Sequence, residues 1–226
     1  MGLQQPLTEI QIDAAARLYE LLESWKTTDS ALNELADHFP GTDLESCLVK
    51  TVTINSLYST QVWAVWRMAV HVQEILNRED TSTAGSELIE SLAALRKVDG
   101  SGVERRFRSF ASKFAHFFID SDRFPILDSL AEKMIAYHLG RVRAKNDAYP
   151  YVAFHENFFT LKKAANIADR PNCDLDRYLW LAGQYRHWLT KPEAEIGREV
   201  RSLFETENSE IKRLLDQLFP NRVDRE

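Results

Sequence analysis

Cysteine is scarce: Cys47 and Cys173 are the only two in 226 residues, far apart and without a CxxC spacing. That pattern excludes a disulfide framework and gives no support to a structural zinc or iron–sulfur site. Both thiols are read as reduced packing residues. Long apolar runs are also missing, since none approaches the roughly 20 residues that cross a bilayer. The opening "MGLQQPLTEIQ" has neither the basic start nor the apolar centre of a signal peptide. A cytoplasmic protein with no membrane partner is therefore expected. No GxxxxGK[ST] loop, HExxH, GxSxG or nuclease carboxylate cluster occurs. NTPase, metalloprotease, nuclease and serine-hydrolase chemistries thus have no local support. Strand signals are few. "TVTIN", residues 51–55, is β-branched but finds no partner run of similar quality, so it is read as helix or turn.

Positive charge is in deficit too, with a net charge of −6. A dedicated nucleic-acid binder is usually basic. The distribution qualifies this. Between Arg96 and Lys145 stand eleven Lys/Arg against six acids, so the middle is locally basic on an acidic body. Such a patch can hold a phosphate backbone. Solvated helix faces of both signs are the ordinary alternative.

What is present is helical period. The chain is 44% hydrophobic and 27% charged, as in a globular protein with a substantial core. Ile10, Ala14, Leu18, Leu21, Leu22 and Trp25 form one stripe of a predicted helix over 8–26, with Thr8 as N-cap. Asp29 or Ser30 opens a short helix that Pro40-Gly41 ends, and another begins near Asp43. Gln61–Leu76 carries Trp63, Trp66 and Met68 and is apolar around much of its circumference, which predicts a buried central helix. Further helices are expected over 87–96, 104–118, 128–139, 150–168, 174–189 and 193–218, with a turn at Asp99-Gly-Ser-Gly102 and a stop at Gly140. The expected fold is all-α, nine or ten helices in one domain over 1–226, with two helical lobes around a cleft.

The most informative stretch is "SFASKFAHFF", 109–118, followed by "RFPILDSLAEKM". Phe110, Phe114, Phe117 and Phe118 share one helical face, and Lys113 lies at its border beside Ser109 and His116. Such a lysine can run its stem along the core edge into water. It can equally be a nucleophile, because apolar surroundings disfavour the charged form of an amine. Asp128, ahead of Ser-Leu-Ala-Glu, reads as an N-cap. A capping carboxylate is also rigidly held, which suits an acid/base group or the stabilisation of a developing cation.

In this order the two residues and their flanks resemble the helix–hairpin–helix DNA glycosylases, nearest the 8-oxoguanine glycosylase branch. Ser109-Phe110-Ala111-Ser112-Lys113 stands at the position of that family's GxGxK hairpin, and Ile126-Leu127-Asp128 at that of its hydrophobic-Asp segment. Both hairpin glycines are replaced, by Ser109 and Ala111, and the Lys–Asp spacing is a few residues shorter. The resemblance implies that Lys113 attacks C1′ of the damaged nucleotide while Asp128 assists proton transfer and stabilises oxocarbenium-like charge. Asp128 alone suffices for an enzyme that uses water instead. No cofactor is implied. The partner is double-stranded DNA carrying a modified base, met by a monomer. Arg105, Arg106, Arg108, Ser109, Ser112, Arg141 and Arg143 are the candidates for DNA contact. Asn55, Tyr58 and Gln61 are similar, more weakly, to the family segment lining the base pocket, with His116 beside them. "LDRYLWLAGQYRHWLTK", 175–191, interleaves aromatic and basic residues and offers Tyr178, Gln184 and Arg186 to a flipped base. An amphipathic core helix is the competing reading of that segment. The expected base is either a modified phage cytosine, such as glucosylated hydroxymethylcytosine in antiphage defence, or an oxidised purine such as 8-oxoguanine in repair. The alternative is a non-catalytic helical module of a defence operon that binds DNA or protein.

Overall fold

The computed structural model describes residues 2–140 and 150–220. In chain order the elements are α1 (Glu9–Tyr19), α2 (Glu23–His38), α3 (Leu44–Tyr58), α4 (Val65–Arg78), α5 (Glu87–Ala93), β1 (Ala94–Arg96), β2 (Val103–Arg106), α6 (Arg108–Phe118), α7 (Ser129–Leu139), α8 (Pro150–Ala164), α9 (Asn172–Thr190), α10 (Arg198–Phe204) and α11 (Ser209–Leu218). The helical character expected from the sequence is present. Among the described residues, none of these helices is long and apolar enough to cross a membrane. The chain forms two compact units. One comprises Met1–Thr27, Asp128–Ala144 and Asn157–Glu226, and the other Thr28–Leu127 and Lys145–Glu156.

The second unit departs most from the expected elements. The segments read as helix over 87–96 and 104–118 are instead trimmed by a two-stranded antiparallel ribbon. Ala94 pairs with Arg106, Leu95 with Arg105 and Arg96 with Val103, with a register shift after Leu95. The reason is the Asp99-Gly-Ser-Gly turn. Gly100 and Gly102 take φ of 71° and 152°, which side chains disfavour, and the Asp99 carboxylate accepts from Ser101 N–H at 2.9 Å. Phe107 N–H then bonds to Ala93 O at 2.9 Å and delivers the chain into α6. The core of this unit is built from Ile54, Met68, Val72, Leu88, Leu92, Phe110, Phe114 and Tyr151.

The predicted start of α4 at Gln61 is also corrected. Asn55 Oδ1 accepts from Val62 N–H and Thr60 Oγ1, both at 2.9 Å, while its Nδ2 donates to Val62 O at 3.1 Å. This brace folds 59–64 into a loop in which Ser59 and Gln61 have φ of 48° and 59°. The helix therefore starts at Val65, and Trp63 and Trp66 face outward, 85% and 58% exposed, instead of filling a core.

In the first unit α1 packs on α9 and α11, and α7 packs on α9. The single helix expected over 8–26 breaks after Tyr19. Leu21 and Leu22 N–H reach back to Leu18 and Tyr19 carbonyls, burying Leu22 and exposing Leu21. The helix expected over 193–218 is two helices, the second capped by Asn208, whose Oδ1 accepts from Glu210 and Ile211 N–H. Gly140 ends α7 in the left-handed region, as its position suggested.

His71 and His138 are buried and His155 is half-buried, and all three favour the neutral form. His71 donates to Ser91 O, His138 to Gln5 O and His155 to Arg123 O, each at 3.0 Å. Burial holds all three below the ordinary value of 6.5, against the smaller upward pull of those hydrogen bonds. Each depressed group contributes stability that is whole above pH 6.5 and is lost as pH falls towards its folded pKa, because the unfolded chain takes up the protons first. The melting temperature should stay level above about pH 7 and decline below about 6.5. Melts from about pH 8 to 5 check this, and an unchanged Tm across that range would refute it.

Candidate functional site

The lysine-bearing helix α6 follows directly from β2. Its N-cap is Phe107, which supplies no side-chain cap, so the first-turn N–H groups have no side-chain acceptor from that position. The whole stretch Ser109–Lys113 lies inside α6. The segment that the family resemblance places at a hairpin is thus the first helical turn and a half after the ribbon.

Lys113 is buried, at 6% exposure, and so does not run out along the core edge into water. Helical side chains lean towards the N-terminus, and its stem runs back one turn. There Nζ donates to Ser109 Oγ at 2.9 Å and approaches Ser109 O at 3.4 Å. The amine also stands 5.4 Å from the centroid of the Tyr58 ring, which in turn packs on Phe117 at 5.9 Å. Ser109 itself is exposed. The second unit thereby brings Tyr58 of α3 to Ser109 and Lys113 of α6, while Ser112 and His116 of the same helix meet the segment ahead of Asp128.

Two further bonds tie the segment ahead of Asp128 to the same helix. Fully buried Ser112 accepts Leu127 N–H on Oγ at 3.1 Å, and His116 Nδ1 donates to Phe124 O at 3.0 Å. Ser112→Ala would leave the buried Leu127 N–H without its acceptor. It should destabilise the fold by about 1–3 kcal/mol, read as a shift in urea midpoint at constant m-value. Ser112→Thr, which keeps the hydroxyl, should recover part of that loss.

Asp128 belongs to the first unit and caps α7 as read from the sequence. Its Oδ1 accepts from both Leu130 N–H at 2.7 Å and Ala131 N–H at 2.8 Å. One carboxylate oxygen is therefore fixed by the helix, and the other makes no hydrogen bond among the described residues.

The basic candidates divide. Arg108 donates through Nε to both oxygens of Glu90, at 3.0 and 2.8 Å, and Arg106 stands 3.9 Å from the same carboxylate. Glu90 is 5% exposed and also accepts Tyr151 N–H at 2.9 Å, so it joins the starts of α6 and α8 within this unit. Arg105 is exposed, its guanidinium 4.9 Å from the Phe107 ring. Arg141 and Arg143 lie outside the described residues.

The weaker pocket candidates also have definite places. Asn55 is the loop brace described above. Tyr178 is fully buried, its hydroxyl accepting from Gln11 Nε2 at 3.2 Å and donating to His138 Nε2 at 2.9 Å, with burial raising its pKa well above the ordinary value. Gln184 and Arg186 are half-buried on α9.

Sequence reading missed Lys50, a second lysine at 4% exposure. It donates to Gly41 O at 3.0 Å beside the Phe118 ring, and burial lowers its pKa. Its spacing from Cys47 and Ile54 on α3 was the available signal. Cys47 is sealed, with its thiol pushed up to about 11 by burial, which keeps it protonated and inert. Among the described residues no group of three or more His, Cys, Asp or Glu could hold a metal ion.

Residues 11–122, a little under half of the chain, match the family model HI_0787_N, described as an N-terminal domain. No curated protein and no solved structure matches the chain.

Proposed function

We propose that the chain is a DNA glycosylase that cleaves the N-glycosidic bond of a modified base and leaves an abasic site. The observation that carries this reading is the state of Lys113. It is a buried amine drawn to the exposed first turn of its helix by Ser109, and the same helix anchors through Ser112 the segment leading into Asp128. In this reading Lys113 acts as the nucleophile at C1′ and Asp128 as the group that moves the proton and faces the developing positive charge. The side-chain-uncapped first turn of α6 and exposed Arg105 supply phosphate contacts. Outward Trp63 and Trp66 offer rings on which bases can stack. The substrate is a glucosylated hydroxymethylcytosine or an oxidised purine such as 8-oxoguanine, and the local basic charge between Arg96 and Lys145 supports a DNA partner.

The second reading, a non-catalytic helical DNA-binding or protein-interaction module, is favoured by one observation: Asp128 is fully explained as a helix cap. The two readings part on a panel of duplexes carrying 8-oxoguanine, hydroxymethylcytosine, glucosylated hydroxymethylcytosine or no modification, scored for abasic sites with and without alkali. Release from one modified duplex supports the glycosylase. DNA binding without release from any duplex supports the module.

A further inference from the structure

Between α7 and α9 of the first unit lies a cleft of about 170 Å³ whose polar lining is Lys133, Arg186, His187 and Thr190. We infer that it is an anion site for a phosphoryl group. The inference is independent of the roles given to Lys113 and Asp128.

The cleft exists because the two helices approach closely at Gly183, where a Cβ would come within 2.9 Å of Leu130 Cβ. That approach sets the exposed Lys133 of α7 opposite Arg186 and His187 of α9. No carboxylate lines the cleft, and neither Lys133 nor Arg186 has an acidic partner among the described residues. Concave surfaces lined by charge of one sign concentrate field and counter-ions. Arg186 is pre-oriented, with its guanidinium 4.6 Å from the Tyr137 ring centroid and that ring packed on Phe219 at 5.6 Å. A guanidinium held by its face keeps its edge donors for a planar or tetrahedral oxyanion. Thr190 Oγ1 donates to the Arg186 and His187 carbonyls at 3.2 and 3.0 Å, which fixes the far end of the site. The volume is below the roughly 300–1,000 Å³ that suits a drug-sized ligand, so the fitting group is small.

A phosphoryl group can come from a free phosphomonoester or from a nucleic-acid backbone. Calorimetry on the full chain with inorganic phosphate, ribose 5-phosphate and an unmodified DNA duplex separates the two. Wild type should bind inorganic phosphate, and the K133Q/R186Q chain should bind it about tenfold or more weakly. Ribose 5-phosphate binding that the duplex does not displace assigns the site to a free phosphomonoester. Displacement of phosphate by the duplex, with the slope of log K against log salt reduced by about 2 in the double variant, assigns it to backbone phosphate. K133Q alone, at an exposed position, should weaken phosphate by about threefold or more and keeps the test valid should the double variant fold poorly. Equal affinity of wild type and K133Q for every probe would overturn the site.

Discussion

Asp128→Asn is expected to release base at least about 10²-fold more slowly than wild type while melting within about 0.5 kcal/mol of it. The separation follows from the two parts that the proposed reading assigns to one carboxylate. As an N-cap, Asn is nearly equivalent to Asp, so the bonds to Leu130 and Ala131 N–H survive in kind. As an acid/base group Asn has nothing to offer, and positioned proton transfer is worth about 10²–10⁴ in rate. Asp128→Ala is the converse control, losing the cap at about 1 kcal/mol as well as the chemistry. Single-turnover release from whichever duplex the panel identifies, alongside thermal melts, reads both quantities. An Asn variant that keeps full activity would return Asp128 to the role of helix cap. Lys113 is tested in the same series by borohydride trapping of the enzyme–DNA adduct. Lys113→Gln should abolish the cross-link and Lys50→Gln should retain it. The second variant matters because, among the described residues, Lys50 is the other buried amine in the same unit. Release without trapping in the wild type would make water the nucleophile and leave Asp128 as the working group.

The largest loss of stability is expected at Glu90, which joins the starts of two helices to the end of a strand. Its carboxylate receives Arg108 Nε twice and Tyr151 N–H, and stands near Arg106. Removal leaves a partly buried guanidinium and a buried N–H uncompensated. Breaking a buried pair in this way costs about 3–5 kcal/mol. The Arg108 side chain is 21% exposed and water relieves part of that, so about 2–4 kcal/mol is expected for Glu90→Ala. Glu90→Gln should fall between, because it keeps an acceptor for Tyr151 but loses the charge. Denaturant unfolding of both variants checks the order. A Glu90→Ala chain as stable as wild type would show that the carboxylate joins nothing of consequence.

Local features were readable where one short segment determines its own geometry. Asp128 before an apolar helical period, Gly140 after it, Thr8 at the start of α1 and the glycines of 99–102 each act on their nearest neighbours. What escaped depends on remote partners. β1 and β2 are three and four residues long, and "VERR" is exposed at every position, so neither strand carries an alternation to read. The outward turn of Trp63 is decided by the amide of Asn55, eight positions earlier, and no periodicity reports that brace. In the sequence Asn55 reads as a pocket residue, since a polar side chain at a helix end looks the same whether it meets a ligand or the next loop. Lys113 shows the opposite case. Its place at the edge of an aromatic stripe was legible, but its burial and its reach to Ser109 required the rotamer.

The first unit is assembled from three separated stretches, and α1 packs against α11 near the other end of the described chain. During synthesis at about 5–20 residues per second, α1 therefore waits roughly ten to forty seconds for its partner to be made. The stretch 28–127 can acquire most of its own contacts in that interval. A cell making this chain thus leaves the apolar face of α1, with Ile12, Ala15 and Leu18, open to chaperones until α9 and α11 have been made.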